Sequence, residues 1–263
     1  MNHLDLFSGI GGFALAAEWA GFDTVAFCEN NAWCVKHALQ RNWPDIPIIQ
    51  DVTKLGKKDL PNTHIDLITA GVPCQPASVA GKRKGIEDAR WLWPDTFRII
   101  HNLRPTWVLC ENPTGILSLD RGEPFAEILE RFRKAGYGTW WETIPASAAG
   151  WGHRRERVWV VAYSPRTRLE RYSREQHDRD QSRRKQPEKT RYTPPPIIPP
   201  LRNSPQWWKN KSPVRPVVNG VSDYAFWKEA ITAVGNAIVP QAAYEILQGI
   251  QNVESQTPLS PSA

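Results

Sequence analysis

The chain has 263 residues, 41% of them hydrophobic, with 33 Lys+Arg against 27 Asp+Glu for a formal net charge of +6. That length holds one full α/β domain with a smaller appendage, and the absence of a charged, apolar leader or a membrane-length apolar run leads us to expect a cytoplasmic protein with no membrane partner. The four cysteines, Cys28, Cys34, Cys74 and Cys110, make neither a CxxC pair nor a disulfide-dense pattern, so the reading is of reduced thiols available for chemistry and no metal site.

Leu4-Asp5-Leu6-Phe7 predicts a short apolar strand, followed at once by the turn Ser8-Gly9-Ile10-Gly11-Gly12. Phe13, Ala16, Ala17 and Ala20 then recur at helical spacing, Gly21-Phe22 ends that helix, and Thr24-Val25-Ala26-Phe27 begins a second strand. A strand, glycine turn, helix and strand in succession hold nucleotide-like cofactors at the helix N-terminus. Glu29 closes the second strand, where a carboxylate can bind ribose hydroxyls. The glycine spacing is not the three-glycine dinucleotide pattern, and the turn carries no phosphate-loop lysine. Both features favour a cofactor with ribose and adenine but no pyrophosphate, S-adenosylmethionine over NAD or ATP. The next apolar run, Ile46 to Ile49, leads into Gln50-Asp51-Val52-Thr53. Asp51 reads either as an acceptor for an adenine amine or as a cap on the following turn.

Ile65 to Ala70 reads as a buried parallel strand, and Gly71-Val72-Pro73-Cys74-Gln75-Pro76-Ala77-Ser78 follows it. Open α/β sheets place their ligands just past such a carboxyl end, and Pro73 stiffens the turn that presents the thiol. Alone, Cys74 is either a nucleophile or a small buried cysteine.

With Asp5-Leu6-Phe7-Ser8-Gly9-Ile10-Gly11-Gly12, Glu29, Asp51 and Pro73-Cys74-Gln75 in this order, the chain resembles the cytosine-C5 DNA methyltransferases. The resemblance covers residues 4 to 162 and 235 to 247. It implies an α/β fold of the class I S-adenosylmethionine-dependent methyltransferase (Rossmann-like) type. Such a fold is a mixed sheet with helices on both faces, here with a small irregular recognition segment. It implies S-adenosylmethionine as methyl donor, double-stranded DNA as partner and a flipped cytosine as substrate. Phe7 matches the family's aromatic against the adenine, and Glu29 and Asp51 its ribose and adenine contacts. Ser8, Gly9, Ile10, Gly11, Gly12, Asn30, Val52, Pro73 and Leu92 are implied in the same cofactor pocket. Gln75 and Ser78 are implied at the DNA.

Gly81-Lys82-Arg83-Lys84-Gly85 comes next. Family members close a loop over the DNA here, and Lys82, Arg83 and Lys84 suit that task; outside the resemblance the stretch is an ordinary surface loop. A helix is expected from Asp88 to about Asn102, with Trp93, Phe97 and Ile100 facing the sheet. Thr106 to Cys110 reads as a buried strand with Glu111-Asn112-Pro113 at its carboxyl end, where burying a carboxylate is costly without a partner or a task. Glu111 matches the glutamate that the family sets on cytosine N3, and Pro113 stands where that motif usually has valine. Phe125 to Ala135 reads as an amphipathic helix ended by Gly136, and Tyr137 to Ile144 and Arg157 to Ala162 as strands. Between them, Gly152-His153-Arg154-Arg155-Glu156-Arg157 resembles the family's Gln-x-Arg-x-Arg with His153 in first place. Arg155 and Arg157 are thereby implied at the target cytosine and the nearby phosphate, Arg157 at the base.

From Ser164 to Arg215 there are 14 Lys+Arg against 5 Asp+Glu, while the rest of the chain has 19 against 22. The tract reads as a polyanion contact or as a solvated insert. Thr193 to Pro200 favours polyproline II. Trp207-Trp208, near Lys209 and Lys211, suits either nucleic acid or packing against the catalytic domain. In the family this interval carries target recognition, for which 52 residues is short. Tyr224 to Ala233 looks helical, and Val234 to Pro240 resembles the family's final motif, which implies Asn236 and Ile238 in the cofactor pocket. Gln241 to Ile250 reads as the last helix and Asn252 to Ala263 as a loose tail.

The expected organisation is therefore 1–162 catalytic and cofactor-binding, 163–215 recognition, 216–251 returning to the catalytic domain, and 252–263 tail. The expected reaction is methyl transfer to C5 of a cytosine in DNA through a covalent Cys74–C6 adduct, by a monomer that requires no cognate restriction endonuclease. An RNA cytosine-C5 enzyme and a DNA-binding relative with little turnover remain as alternatives.

Overall fold

Alternation along β1 (Asn2–Leu6) sends Leu4 and Leu6 into one core layer and His3 and Asp5 toward the other, all four fully buried. The computed structural model describes residues 1–74, 91–152, 154–165, 229 and 232–256. The expectations for Gln75, Ser78, Lys82, Arg83, Lys84 and His153, for nearly all of the 163–215 segment, for most of the Tyr224–Ala233 helix and for the end of the tail lie outside them.

After β1 come α1 (Gly12–Trp19), β2 (Asp23–Cys28), α2 (Ala32–Cys34), a π-helical turn (Val35–Leu39), α3 (Gln40–Asn42), β3 (Ile48–Ile49) and β4 (Leu67–Ala70). These are followed by α4 (Trp93–Leu103), β5 (Trp107–Pro113), α5 (Glu123–Lys134), β6 (Gly138–Pro145), β7 (Glu156–Tyr163) and α6 (Pro240–Gln256). The seven strands form one sheet in the order β3-β2-β1-β4-β5-β7-β6. The first five run parallel, and β7 inserts antiparallel between β5 and β6. The chain thus leaves β1 toward β2 on one side and returns through β4 on the other, so β1 and β4 flank a topological switch point where ligand crevices form.

Each face of the sheet carries its own helical layer. Leu4, Leu6, Ile68, Ala70, Val108 and Cys110 pack with Ile99, Ile100, Ile128 and Phe132 of α4 and α5. Leu67, Trp107, Leu109 and Trp159 pack with Phe13, Ala16 and Ala17 of α1 and Ala243 and Leu247 of α6. Phe13 meets Trp159 edge to face, with centroids 6.0 Å apart. This matches the expected α/β mixed sheet with helices on both faces.

Several boundaries differ from expectation, among them the end of β5, which runs on through Glu111 to Pro113. The helix expected from Asp88 starts at Trp93, because Pro94 fits only a first helical turn and Trp91 and Leu92 precede it in extended or irregular backbone. The last helix continues past Ile250 to Gln256, so residues 252–256 are not loose tail. Glu254 accepts a hydrogen bond from Trp107 Nε1 at 2.9 Å and pins that final turn to β5. The helical segment 32–42 was not foreseen, although Asn31 caps it by accepting from Trp33 and Cys34 N–H, and Val35, Ala38 and Leu39 bury one face.

A buried polar chain crosses β2, β1 and β4. Thr69 Oγ1 lies 2.8 Å from Asp5 Oδ1 and 2.7 Å from His3 Nε2, and His3 Nδ1 lies 2.9 Å from Thr24 Oγ1. Burial keeps this ring neutral and lowers its pKa to about 3. Burial also raises the Asp5 carboxyl to about 8, opposed by the Thr69 bond and reinforced by the charge of Glu29.

The sign of the resulting pH dependence is set by the proton that the folded state holds. Between pH 3.8 and about 8 folded Asp5 keeps a proton that the unfolded chain has released, so its contribution to stability is complete below that window and is lost as pH rises through about 8. His3 works oppositely: stability is lost as pH falls from 6.5 toward about 3. We therefore expect the stability of the wild type relative to Asp5→Asn, from urea unfolding, to be greater at pH 5 than at pH 8. An equal difference at both pH values would show that Asp5 is not held protonated.

Candidate active site

At the carboxyl end of β1 the chain turns sharply. Phe7 has φ +56°, and Gly9 and Gly11 have φ +55° and +86°. Gly11 N–H closes the turn on Ser8 O at 2.8 Å, and Ser8 Oγ donates to Asp5 O at 2.8 Å. A Cβ on Gly11 would lie 2.4 Å from the Trp43 ring, and one on Gly12 would lie 2.8 Å from Ile238 Cγ1. Both positions require glycine because a neighbouring side chain occupies the space. Glu29, buried at the end of β2, accepts from Gly9 N–H at 2.6 Å and Asn31 N–H at 2.7 Å.

This turn walls one end of a cavity of about 740 Å³ that runs along the carboxyl ends of the parallel strands, within the range of ligand pockets. Phe7, Ser8, Gly9, Gly12, Glu29 and Asn30 line it, as do Asp51 and Val52 after β3, Pro73 and Cys74 after β4, and Leu92 before α4. Glu111 of β5, Arg155 and Arg157 near the start of β7, and Asn236 and Ile238 complete the set of expected residues on its wall. Ile10 and Gly11 do not line it. They form the back of the turn, where Trp43 covers Gly11.

Sequence reasoning missed Phe13, Cys28, Cys34, Gln50 and Thr53, which also face this space. Cys34 was legible through the Asn31 cap, which sets a helix start at the cavity edge. Nothing local marks Trp43, whose partner on the turn is 32 positions away in the chain.

Asp51 accepts from Thr53 N–H at 3.0 Å and Thr53 Oγ1 at 2.6 Å and pairs with Lys54 at 3.0 Å. The capping reading of Asp51 therefore holds in this structure. The Thr53 hydroxyl chiefly, with Lys54, keeps the carboxyl below its ordinary pKa, so it is an ionised acceptor on the cavity wall.

The other end is built by β5 and β7. Their register sets Glu111 opposite Trp159 and Pro113 opposite Arg157, which makes Glu111 and Arg157 diagonal neighbours on one face. Arg157 Nε lies 3.0 Å from Glu111 Oε1. Burial raises the Glu111 carboxyl to about 7, against the lowering influence of Arg157 and Arg155. Asn112 Nδ2 donates to Val72 O at 2.8 Å and ties the same strand end to the loop that carries Cys74. Arg155 donates through its two terminal nitrogens to Gly235 O at 2.6 Å and Ala237 O at 2.7 Å. Its fork is thus committed to the returning segment, whereas the resemblance implied contact with cytosine or phosphate.

None of the four cysteines forms a disulfide. Burial first, then the charges of Glu29, Asp51 and Asp5, pushes Cys28 up to about 12. Burial and Glu29 push Cys34 to about 11, and burial raises Cys110 as well. These three stay protonated at neutral pH and are poor nucleophiles. Cys74 is the cysteine set at the end of β4 on the wall it shares with Glu111. Among the described residues no cluster of His, Cys, Asp and Glu is arranged to hold a metal, and no helix is long and apolar enough to cross a membrane.

The strand order and the cavity at its switch point define a class I, Rossmann-like methyltransferase fold. A family model described as C-5 cytosine-specific DNA methylase matches residues 1–213, and the chain belongs to that family. The type II methyltransferase M.BsuFI of Bacillus subtilis is 35% identical over 169 residues, covering 63% of this chain and 40% of that protein. M.HgiBI of Herpetosiphon aurantiacus is 32% identical over 174 residues, covering 65% and 39%. Among solved structures, an E. coli prophage protein assigned as a DNA modification methyltransferase superposes with TM-score 0.54 at 26% identity, covering 64% of this chain and 48% of that one. The S. pombe Dnmt2 methyltransferase superposes with TM-score 0.50 at 24% identity, covering 62% and 51%, a likeness of fold. The chain spans about half or less of the length of these relatives.

Because Arg157 lowers the pKa of a buried carboxyl, its removal should raise Glu111 above about 7. Arg157→Met is expected to destabilise the fold by on the order of 1–2 kcal/mol at pH 8 and by less at pH 5, where Glu111 is already protonated. Urea unfolding at the two pH values measures this, and an equal loss at both would rule out the electrostatic account.

Proposed function

We propose that this protein is a DNA cytosine-C5 methyltransferase that uses S-adenosylmethionine and a covalent Cys74 adduct. The observation that carries the reading is the single cavity that gathers Cys74, the buried pair Glu111–Arg157 and the glycine turn with its two carboxylates. The family and the type II relatives support the same chemistry.

The donor end suits S-adenosylmethionine by its chemistry. Glu29 and Asp51 are acceptors for ribose hydroxyls and an adenine amine, and the open face of Gly9, where a Cβ would meet nothing within 4 Å, admits close approach of a ligand. The basic residues on the described wall, Arg155 and Arg157, are not part of the glycine turn but accompany Glu111, and both lower its pKa. Among the described residues no cation therefore awaits a pyrophosphate at the turn. Phe7 would face the adenine, with Val52, Pro73, Leu92, Asn236 and Ile238 completing the enclosure. When bound, S-adenosylmethionine supplies an electrophilic methyl group.

Cytosine C5 is a weak nucleophile until C6 accepts an electron pair. The Cys74 thiolate forms the bond to C6, and Glu111, protonated below about 7, gives its proton to N3 as the ring becomes an enamine. Arg157 faces the carboxylate that results and stabilises it. Once C5 has taken the methyl group and S-adenosylhomocysteine is left, water takes the C5 proton, Cys74 departs as the thiolate and N3 returns its proton to the Glu111 carboxylate, which restores the aromatic ring. The target base must leave the duplex stack to reach this cavity. Gln75, Ser78, Lys82, Arg83 and Lys84 are proposed at the DNA, and Arg155 supports the wall.

Glu111→Gln cannot give the N3 proton and is expected to lower kcat about 10²-fold. The wild-type step that depends on protonated Glu111 weakens as pH rises through about 7, and the variant should lose that decline in a pH–rate profile.

Duplex DNA carrying 5-fluorocytosine tests the covalent step, because fluorine at C5 prevents proton loss and traps the adduct. With S-adenosylmethionine present, the wild type should form a denaturant-stable complex with the DNA, and Cys74→Ser should form none. A complex unchanged in Cys74→Ser would reject the mechanism. Tritium transfer from labelled S-adenosylmethionine to tRNA but not to duplex DNA would move the assignment to RNA.

A further inference from the structure

We infer that Arg98 is a positioning residue for the methyl-donor end of the cavity, holding the 51–55 turn in place by its carbonyl oxygens; the inference rests on the cofactor reading above. Asp51 and Val52 face the cavity from this turn, yet the strand that delivers them, β3, has two residues and lies at the sheet edge. A strand that short does little to fix the backbone beyond its end. Inside the turn, Lys54 N–H and Leu55 N–H both donate to Asp51 O at 3.1 Å, an arrangement that leaves the carbonyls of Val52, Thr53 and Leu55 to be satisfied elsewhere.

Arg98 supplies the donors. Its Nη1 donates to Leu55 O at 2.7 Å, and its Nη2 to Val52 O at 2.7 Å and Thr53 O at 3.0 Å. Asp95 Oδ1, one helical turn earlier, stands 3.4 Å from Nε and Nη2 and steadies the guanidinium. The next two residues of α4, Ile99 and Ile100, are 1% exposed in the core, so the anchor belongs to the rigid part of the fold. A planar guanidinium reaches several carbonyls at once, whereas a lysine ammonium is a point donor on a flexible stem. Without Arg98 the helix loses its grip on the turn, and the Asp51 and Val52 contacts lose their preset geometry.

The test compares the 263-residue chain with its Arg98→Lys, Arg98→Met and Asp95→Asn variants, with cooperative thermal unfolding confirming that each variant folds. Calorimetric titration with S-adenosylhomocysteine should show Kd raised at least tenfold in Arg98→Met and by a smaller factor in Arg98→Lys. Asp95→Asn, which keeps an acceptor oxygen for the guanidinium at this long 3.4 Å contact, should stay within twofold of wild type. At saturating S-adenosylmethionine kcat should stay within twofold in the Arg98 variants, the pattern of lost ground-state binding. Without any ligand, amide hydrogen exchange at Lys54 and Leu55 should accelerate in the Arg98 variants while β4 keeps its protection.

An unchanged Kd with unchanged exchange overturns the proposal. So does faster exchange with an unchanged Kd, or a weakened Kd with the turn unaffected, because each separates Arg98 from one half of the argument. If the wild type itself fails to bind S-adenosylhomocysteine, the cofactor reading fails. Unchanged exchange at 54 and 55 then also overturns the hold on the turn, and accelerated exchange supports that hold alone.

Discussion

The buried carboxylate of Glu111, 3.0 Å from the Arg157 guanidinium, is the constraint around which the β5–β7 end of the cavity is arranged. A lone carboxylate in this setting would be strongly disfavoured in its charged form. Burial and the two arginines pull its pKa in opposite directions and leave it near neutrality, where one group can hold or release a proton. That balance depends on β7 running antiparallel beside β5, because the register sets residue 157, near the start of β7, beside the carboxyl end of β5. A parallel seventh strand would carry its own start to the far edge of the sheet.

Much of the rest of the cavity wall is loop, and several of these loops are fixed by a polar contact from a neighbouring segment. Glu29 takes an N–H of the glycine turn, Asn112 holds the Val72 carbonyl just before Cys74, and Arg155 grips two carbonyls of the returning segment. Arg98 does the same for the turn after β3. Loops have no internal ladder of backbone bonds, so side chains from strands and helices must satisfy their polar groups. The same carbonyls, once committed, cannot drift across the binding space. Preorganisation of this kind places charge and hydrogen-bond donors before the substrate arrives, the condition under which they are most effective.

Much of the fold was legible because its signals are local. Leu4 to Phe7 followed by the glycine turn, and the apolar runs ending at Ala70 and Cys110, mark strands by composition alone, and the structure has β1, β4 and β5 there. The candidate site was legible for a related reason: in a parallel α/β sheet, residues just past strand ends share one crevice, so Glu29, Asp51, Cys74 and Glu111 could be grouped before any contact was known. Where the reading fell short, the deciding partner was distant. The end of α6 depends on Trp107 meeting Glu254; the start of α4 is the exception, set locally by where Pro94 allows a first turn. Ile10 and Gly11 share a motif with wall residues but sit behind it, because Trp43 covers Gly11.

By itself the order of residues determined which strand ends present the candidate side chains, since strand, turn and helix periodicities are encoded within a few neighbouring positions. It did not determine how those side chains are employed. That Arg157 faces Glu111 while Arg155 grips backbone, and that Arg98 holds the turn after β3 from a helix more than forty positions away, was decided by tertiary structure. Those partners become neighbours only when separate segments pack, and burial then sets what each charge must find.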